Sequence, residues 1–340
     1  MKTMTRGLAA ALLAIVTVSA GQAQTPAEFY RGKTVDLVVA YSSGGGYDSY
    51  ARLLAKHMHK HIPGNPQVVP RNMPGAGGMR AANWLQSAAP NDGLVFAATS
   101  RAMAFEPLLG NKAAKYDPTR ITFIGSANDE VSVCFAWHSS GIKTFKDVQQ
   151  RELVVGSGGT ADDTYQFPAI LRNLFGAKFR IVTGYPGGNE INIAVERGEV
   201  GGRCGIPWST VKASHQYWLR DKSINLLMQF SLAKHADLPD VPLVMDLART
   251  DEERQILRLI FGRQVMGRPY VAPAGVPQDR ADALRKAFMD TMRDKDFLAD
   301  VAKARFEVTP VSGDQLQKMV LDIYKSTPAA VAQKAMAVVK

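Results

Sequence analysis

Four times along this 340-residue chain a short apolar run leads through a glycine-rich loop into a segment of helical periodicity. The order strand, glycine turn, helix is that of α/β folds, in which right-handed helical crossovers join parallel strands. Thr34–Ala40 is rich in β-branched residues, as a strand buried on both faces requires. Ser42–Tyr47 follows as a loop, Asp48 is placed as an N-cap, and Tyr50, Ala51, Leu54 and Met58 recur at helical spacing. Gln67–Pro70, the loop Pro74–Gly78 and the helix Met79–Ala88 form a second such step, and Leu94–Thr99 is a third strand.

The pattern then restarts. Val131–Trp137 is a strand leaving the first unit, and Leu153–Val155 leads through Gly156–Thr160 into a helix reaching about Phe175. Phe179–Thr183 leads through Gly184–Gly188 to Asn189, placed as the cap of a helix that ends at Gly198. Near the C-terminus, Tyr270–Ala272 precedes Pro273–Pro277 and an amphipathic helix with Ala281, Leu284, Phe288 and Met292 inward. Taking Val131–Trp137 and Gly267–Ala272 as the crossovers, one domain comprises residues 24–128 with 265–340, and the other 129–264.

Residues 1–23 have the plan of a secretory signal peptide. Lys2 and Arg6 precede an uncharged apolar run from Leu8 to Val18, and small residues up to Ala23 place cleavage there. No cysteine follows the cleavage point to carry a lipid anchor. The formal charge of +10 falls to +8 once Lys2 and Arg6 are removed. No run of basic residues breaks the surface, so the excess is a general attraction for anions and no nucleic-acid partner is expected. Export to the periplasm also removes the chain from cytosolic ATP and NAD.

Glycine loops at the carboxyl ends of strands are where open α/β sheets bind ligands. The backbone comes close to the ligand there, and the first N–H groups of the following helix have no internal partner, so they form an anion site. A P-loop lysine is missing from all four loops. Gly156–Ala161 fits the dinucleotide fingerprint, but the next strand ends at Thr183-Gly184-Tyr185 without the carboxylate that would hold a ribose. There is no nucleophile elbow, no H-E-x-x-H and no C-x-x-C, so neither an enzyme nor a metal or cofactor site is expected. His57, His59 and His61 are read as the solvated end of the first helix rather than as metal ligands. Asp162 and Asp163 are read as capping a helix start, with one able to reach the cleft. In an oxidising compartment Cys134 and Cys204 could form a disulfide, but two buried free thiols is the preferred reading, since their strands need not be neighbours.

Several segments together carry a family resemblance. They are Tyr41–Asp48 with Ala51–Leu54, Asn72–Gly78, Ala89–Gly93, Gly184–Gly188, Gly198–Val200 and Ala272–Pro277. In these the sequence resembles the extracytoplasmic solute receptors of tripartite tricarboxylate transporters, the Bug-type substrate-binding proteins. The resemblance implies an α/β two-domain periplasmic binding protein, a type II-like clamp with a mostly parallel, helix-flanked sheet in each domain. It implies a monomer that captures a small organic carboxylate and hands it to the membrane subunits of a transporter. One carboxylate is expected between the loop of Gly45, Gly46, Tyr47 and Asp48 and the loop of Gly77 and Gly78, with Tyr41, Ser43 and Ser100 beside them. Ser157, Thr160, Tyr185, Gly187, Gly188 and Asn189 are expected to face it across the cleft.

Three features depart from the family pattern, one of them the helix start Thr160–Thr164 of the second domain. Tyr47 stands where relatives mostly carry threonine, and it would stack on a flat ligand or narrow the cleft. Arg203, in Gly201–Gly205, stands where relatives often have an apolar strand ending in aspartate. Placed near a strand's carboxyl end, it would either pair with a second carboxylate of the ligand or form an inter-domain ion pair. A secreted enzyme acting on a carboxylated substrate, or a subunit presenting its ligand to a sensor, would use the same cleft.

Overall fold

The computed structural model describes residues 24–340. The signal peptide and its cleavage point lie outside the described residues. In chain order the strands are β1 Thr34–Val39, β2 Gln67–Asn72, β3 Val95–Ala98, β4 Thr122–Ser126, β5 Ser132–Trp137, β6 Leu153–Ser157, β7 Phe179–Thr183, β8 Gly202–Pro207, β9 Ile224–Phe230, β10 Pro269–Ala272 and β11 Val311–Ser312. They form a six-stranded sheet ordered β11-β4-β10-β3-β1-β2 and a five-stranded sheet ordered β7-β6-β8-β5-β9.

The glycine-loop steps supply the parallel pairs: β1 lies between β2 and β3, and β6 between β7 and β8. Both sheets are nevertheless mixed. β5 runs antiparallel to β8 and β9, and β10 runs antiparallel to β3 and β4. These are the strands by which the chain passes between sheets, and each is inserted into its new sheet against the local direction. The sequence reading omitted β4, although four of its five residues are buried.

Val35, Leu37, Val38 and Val39 of β1 are all buried, because helices cover both faces of the sheet. The anticipated inward positions of the first long helix, Gly46–Met58, are buried, as are Ala281, Leu284 and Phe288 of the helix Gln278–Thr291. Two caps move. Gly45 rather than Asp48 is the N-cap of the first helix, and Gly187 rather than Asn189 precedes the helix Gly188–Glu196. In both places glycine lets the chain turn in earlier, and the polar residue enters the first turn.

Of the three histidines only His59, exposed at the helix C-cap, is a solvated helix end. His57 is buried with Nε2 2.8 Å from Asp300 Oδ2, and His61 Nε2 lies 2.9 Å from Asp294 Oδ2. Both aspartates belong to the helix Lys295–Lys303 and its cap, so the cluster fastens two helices together. The cysteines are not free thiols either: Cys134 and Cys204 are joined as a disulfide. They lie on β5 and β8, adjacent strands of one sheet, a neighbourhood that a sequence separation of 70 conceals. Reduction should therefore lower stability by about 2–4 kcal/mol, because a long loop is no longer closed in the unfolded chain. Denaturant melts of the oxidised protein and of a Cys134→Ala/Cys204→Ala variant check this; coincident midpoints would remove the disulfide's assigned role.

Candidate ligand-binding site

The first long helix starts where it does because of Asp48. Its carboxylate, in the helix's first turn, accepts hydrogen bonds from Gly44 N at 2.9 Å, Arg52 Nε at 2.8 Å and Asn72 Nδ2 at 2.8 Å. Burial pushes its pKa up, but those three donors outweigh it and hold the carboxyl below the ordinary range. The loop Gly44–Gly46 is thereby fixed from behind, and the N–H groups of the first turn remain free on the other side.

What they face is the start of a second helix. A Cβ built on Gly45 would lie 4.0 Å from the backbone nitrogens of both Gly188 and Asn189. Two helices, of 13 and nine residues, thus point their N-termini at one space. Each brings unsatisfied N–H groups and the positive end of its dipole. A guanidinium adjoins them, since a Cβ on Gly188 would sit 2.6 Å from Arg203 Nη2. Gly188 is glycine because a side chain would displace that group.

The cavity at this meeting point offers about 50 Å³ to the centre of a water-sized sphere, room for several waters and so for a small ligand. Its walls come from both sheets' units. Of the predicted site residues, Tyr41, Gly45, Gly46, Tyr47, Gly187, Gly188, Asn189 and Arg203 line it. The other eight do not. Asp48 lies behind the loop, and exposed Ser43 donates to Asn72 at 3.4 Å. Gly78 backs onto Ser100 and Tyr41, and Ser100 caps a short 3-10 turn by accepting from Ala102 N. Ser157 Oγ accepts from Gly159 N and Thr164 Oγ1, exposed Thr160 lines a neighbouring cavity, and Tyr185 packs on Gly156. The second glycine loop is withdrawn from the cavity because it is spent on contact: at Gly77, φ is +65° and a Cβ would meet Asp162 at 2.9 Å.

Tyr47 narrows the cleft. Its ring is stacked on Tyr41 at 4.7 Å, the Arg268 guanidinium lies 4.9 Å from its centre, and its hydroxyl accepts from Arg101 N at 3.2 Å. The sequence reading missed Arg101 and Arg268, both lining the cavity and both buried. Arg101 follows β3, a position the strand-end rule could have flagged; Arg268 precedes an antiparallel strand, where that rule is silent. Arg101 pairs with Asp163 at 3.1 Å and Arg268 lies 3.4 Å from Glu130. The adjacent aspartates therefore divide their tasks. Asp162 caps its helix through Thr164 N at 2.8 Å, and burial, with the Asp163 charge, raises its pKa.

Arg203 differs from the other two guanidiniums. It is the second residue of β8, not a residue at the strand's carboxyl end, and it is buried. Its Nη1 donates to two neutral acceptors, Gly188 O at 2.9 Å and Asn192 Oδ1 at 2.7 Å. Among the described residues its Nε has no partner and no carboxylate lies within ion-pair distance. Burial lowers its pKa to about 10, against the pull of Asp162. The inter-domain ion pair considered for it is therefore not formed. A buried cation without a carboxylate partner, beside a helix N-terminus, is chemistry that favours an anion.

Comparison with known proteins agrees with this geometry. Residues 50–335 match the model of the tripartite tricarboxylate transporter family receptor. A protein of Cupriavidus necator, "UPF0065 protein in gbd 5'region", is 25% identical over 339 residues, covering 97% of this chain and 96% of its own. The periplasmic binding protein BugD superposes with a TM-score of 0.71 at 20% identity, over 90% of this chain and 98% of BugD. MatC from Rhodopseudomonas palustris, solved with bound malate, gives 0.70 at 17% identity, over 91% and 99%.

Asp48→Ala should cost about 1–3 kcal/mol, because it leaves the Gly44 N–H and the Asn72 amide without their acceptor. Since the folded carboxyl titrates below its unfolded value, the parent holds this contribution at neutral pH and loses it only as pH falls through that lowered value. Urea melts of parent and variant at neutral and strongly acid pH check both points: the gap should close in acid.

Proposed function

The chain belongs to the tripartite tricarboxylate transporter family of receptors, and on that premise we propose that it captures a small organic carboxylate from the periplasm for a membrane transporter. The observation that carries this is the facing pair of helix N-termini with Arg203 beside the second of them and, among the described residues, no carboxylate within ion-pair distance of its guanidinium. One ligand carboxylate lies between the N–H groups of Gly45, Gly46 and Tyr47 and those of Gly188 and Asn189. Preformed backbone donors hold it at little reorganisation cost. Arg203 takes a second acidic group through Nε and Nη2, the edge that Gly188 and Asn192 leave free. Tyr47 and Tyr41 close one wall and limit length. The malate found in MatC is a ligand of this chemical kind.

Residues 24–128 with 265–340 and residues 129–264 are two lobes that close around the ligand. Several contacts bridge them, including Ser42 Oγ to Glu190 Oε2 at 2.7 Å and Arg101 to Asp163, and would hold the lobes together once closed. The exported protein begins after Ala23, acts as a monomer and meets the transporter's membrane subunits with the ligand enclosed. It performs no chemistry on the ligand.

A thermal-shift panel of the mature chain tests this. A carboxylate at 100 times its Kd should stabilise by about 2.7 kcal/mol. Malate, succinate and butyrate should rank with the two diacids ahead. Gly45→Val keeps an ordinary backbone conformation but fills the space between the helix starts, so it should fold normally and bind every carboxylate at least about tenfold less tightly. Arg203→Gln should weaken succinate more than butyrate. Undiminished binding by Gly45→Val would show that the anion lies elsewhere.

A further inference from the structure

Arg203 is not held by the strand alone; a polar relay runs behind it. Arg203 Nη1 donates to Asn192 Oδ1, and Asn192 Nδ2 lies 3.1 Å from His215 Nε2. Asn192 is buried in the helix Gly188–Glu196, and His215 is buried between the helices Trp208–Ser214 and Gln216–Arg220, its ring 4.0 Å from that of Trp218. The direction of every bond follows from chemistry. A guanidinium can only donate, so the amide must turn its oxygen to Arg203 and its NH2 to the imidazole. The imidazole nitrogen must then accept, which requires a neutral ring carrying its proton on Nδ1.

We propose that His215 is a positioning residue for the ligand: in its neutral Nδ1–H form it fixes Asn192, Asn192 fixes Arg203, and protonation of His215 releases the grip. The proposal rests on the reading above that Arg203 touches the ligand. Once Nε2 carries a proton, two donors oppose each other. Asn192 can relieve this only by turning its amide over, which sets its NH2 against Nη1 of Arg203. The acceptor that aims the guanidinium is then lost.

The charged groups around His215 favour the neutral form in the resting protein. Burial lowers its pKa, the Arg203 charge adds to this, and the Thr210 backbone and the Glu196 carboxylate oppose it. Glu196 is itself engaged by the Tyr217 hydroxyl and by Trp218 Nε1. Protonation therefore belongs to the acid side of the ordinary imidazole range, and affinity should fall with pH there even though a new positive charge beside the cavity would by itself attract an anion.

Calorimetry of malate binding to the mature chain from about pH 8 to about pH 5.5, across the histidine range, reads this balance. The parent should lose affinity about tenfold towards acid, the weight of one charge-assisted hydrogen bond. His215→Phe should be about tenfold weaker already at neutral pH, where the acceptor is missing. His215→Gln, whose amide oxygen accepts without titrating, should recover most of that loss and flatten the acid limb. A parent flat or tighter in acid, or a His215→Gln variant retaining the parent's limb, would overturn the relay. Should malate bind the parent and Arg203→Gln equally well, the fault would lie with the reading of the site, and likewise if malate does not bind. Nitrogen-15 NMR of the ligand-free protein then decides the relay by itself. An Nδ1–H tautomer at neutral pH, with Arg203 and Asn192 side-chain signals shifting at the His215 midpoint, supports it, and an Nε2–H tautomer refutes it.

Discussion

Two helix N-termini held face to face across one small cavity set the terms for the rest of the site. Each presents free N–H groups and the positive end of a dipole to the same space. Such an arrangement is tolerable only with negative charge placed behind it. Asp48 and Glu190 stand in the first turns of the two helices and supply that charge from the protein side. Both are occupied, Asp48 by Gly44, Arg52 and Asn72, and Glu190 by Ser42. They steady the helix starts without filling the space between them, which stays open to an incoming anion.

The three guanidiniums lining the cavity show how unevenly the remaining charge is compensated. Arg101 and Arg268 are paired with Asp163 and Glu130, and both reach across between residues that belong to different sheets' units. Buried pairs of this kind add little net stability, since desolvation offsets most of the attraction, but breaking one is costly. Their effect is to define one closed arrangement of the two units. Arg203 is given only neutral acceptors, Gly188 O and Asn192 Oδ1. Paired and unpaired cations thus line the same cavity, and what separates them is the nearest carboxylate.

Much of this was legible in the sequence because it depends on local chemistry. Glycine loops after β-branched runs located β1, β6 and β7 and the helices that follow them, and of the residues expected at the site Gly45, Gly46, Gly188 and Asn189 line the cavity. Other residues fall elsewhere for a common reason. Gly77 and Gly78 belong to a loop of the same kind as the first, yet Gly77 is pressed against Asp162 and Ala161 and the loop does not line the cavity. Asp48 and Asn189 read locally as caps, whereas glycine already makes the turn three and two residues earlier. His57 and His61 gave a pattern in the sequence, but its meaning lay in Asp300 and Asp294, more than 230 residues away.

The sequence by itself determined the strand–loop–helix steps, the apolar faces that pack them and the presence of anion-binding loops, because each follows from the periodicity and backbone freedom of adjacent residues. Tertiary structure alone decided which loops face one another, that Cys134 and Cys204 are neighbours, that Arg101 and Arg268 are neutralised while Arg203 is not, and that Asn192 and His215 stand behind it. Those outcomes depend on strand order and on distances between residues far apart in the chain. Charge and hydrogen-bond partnership are properties of such distances, and no local pattern of residues encodes them.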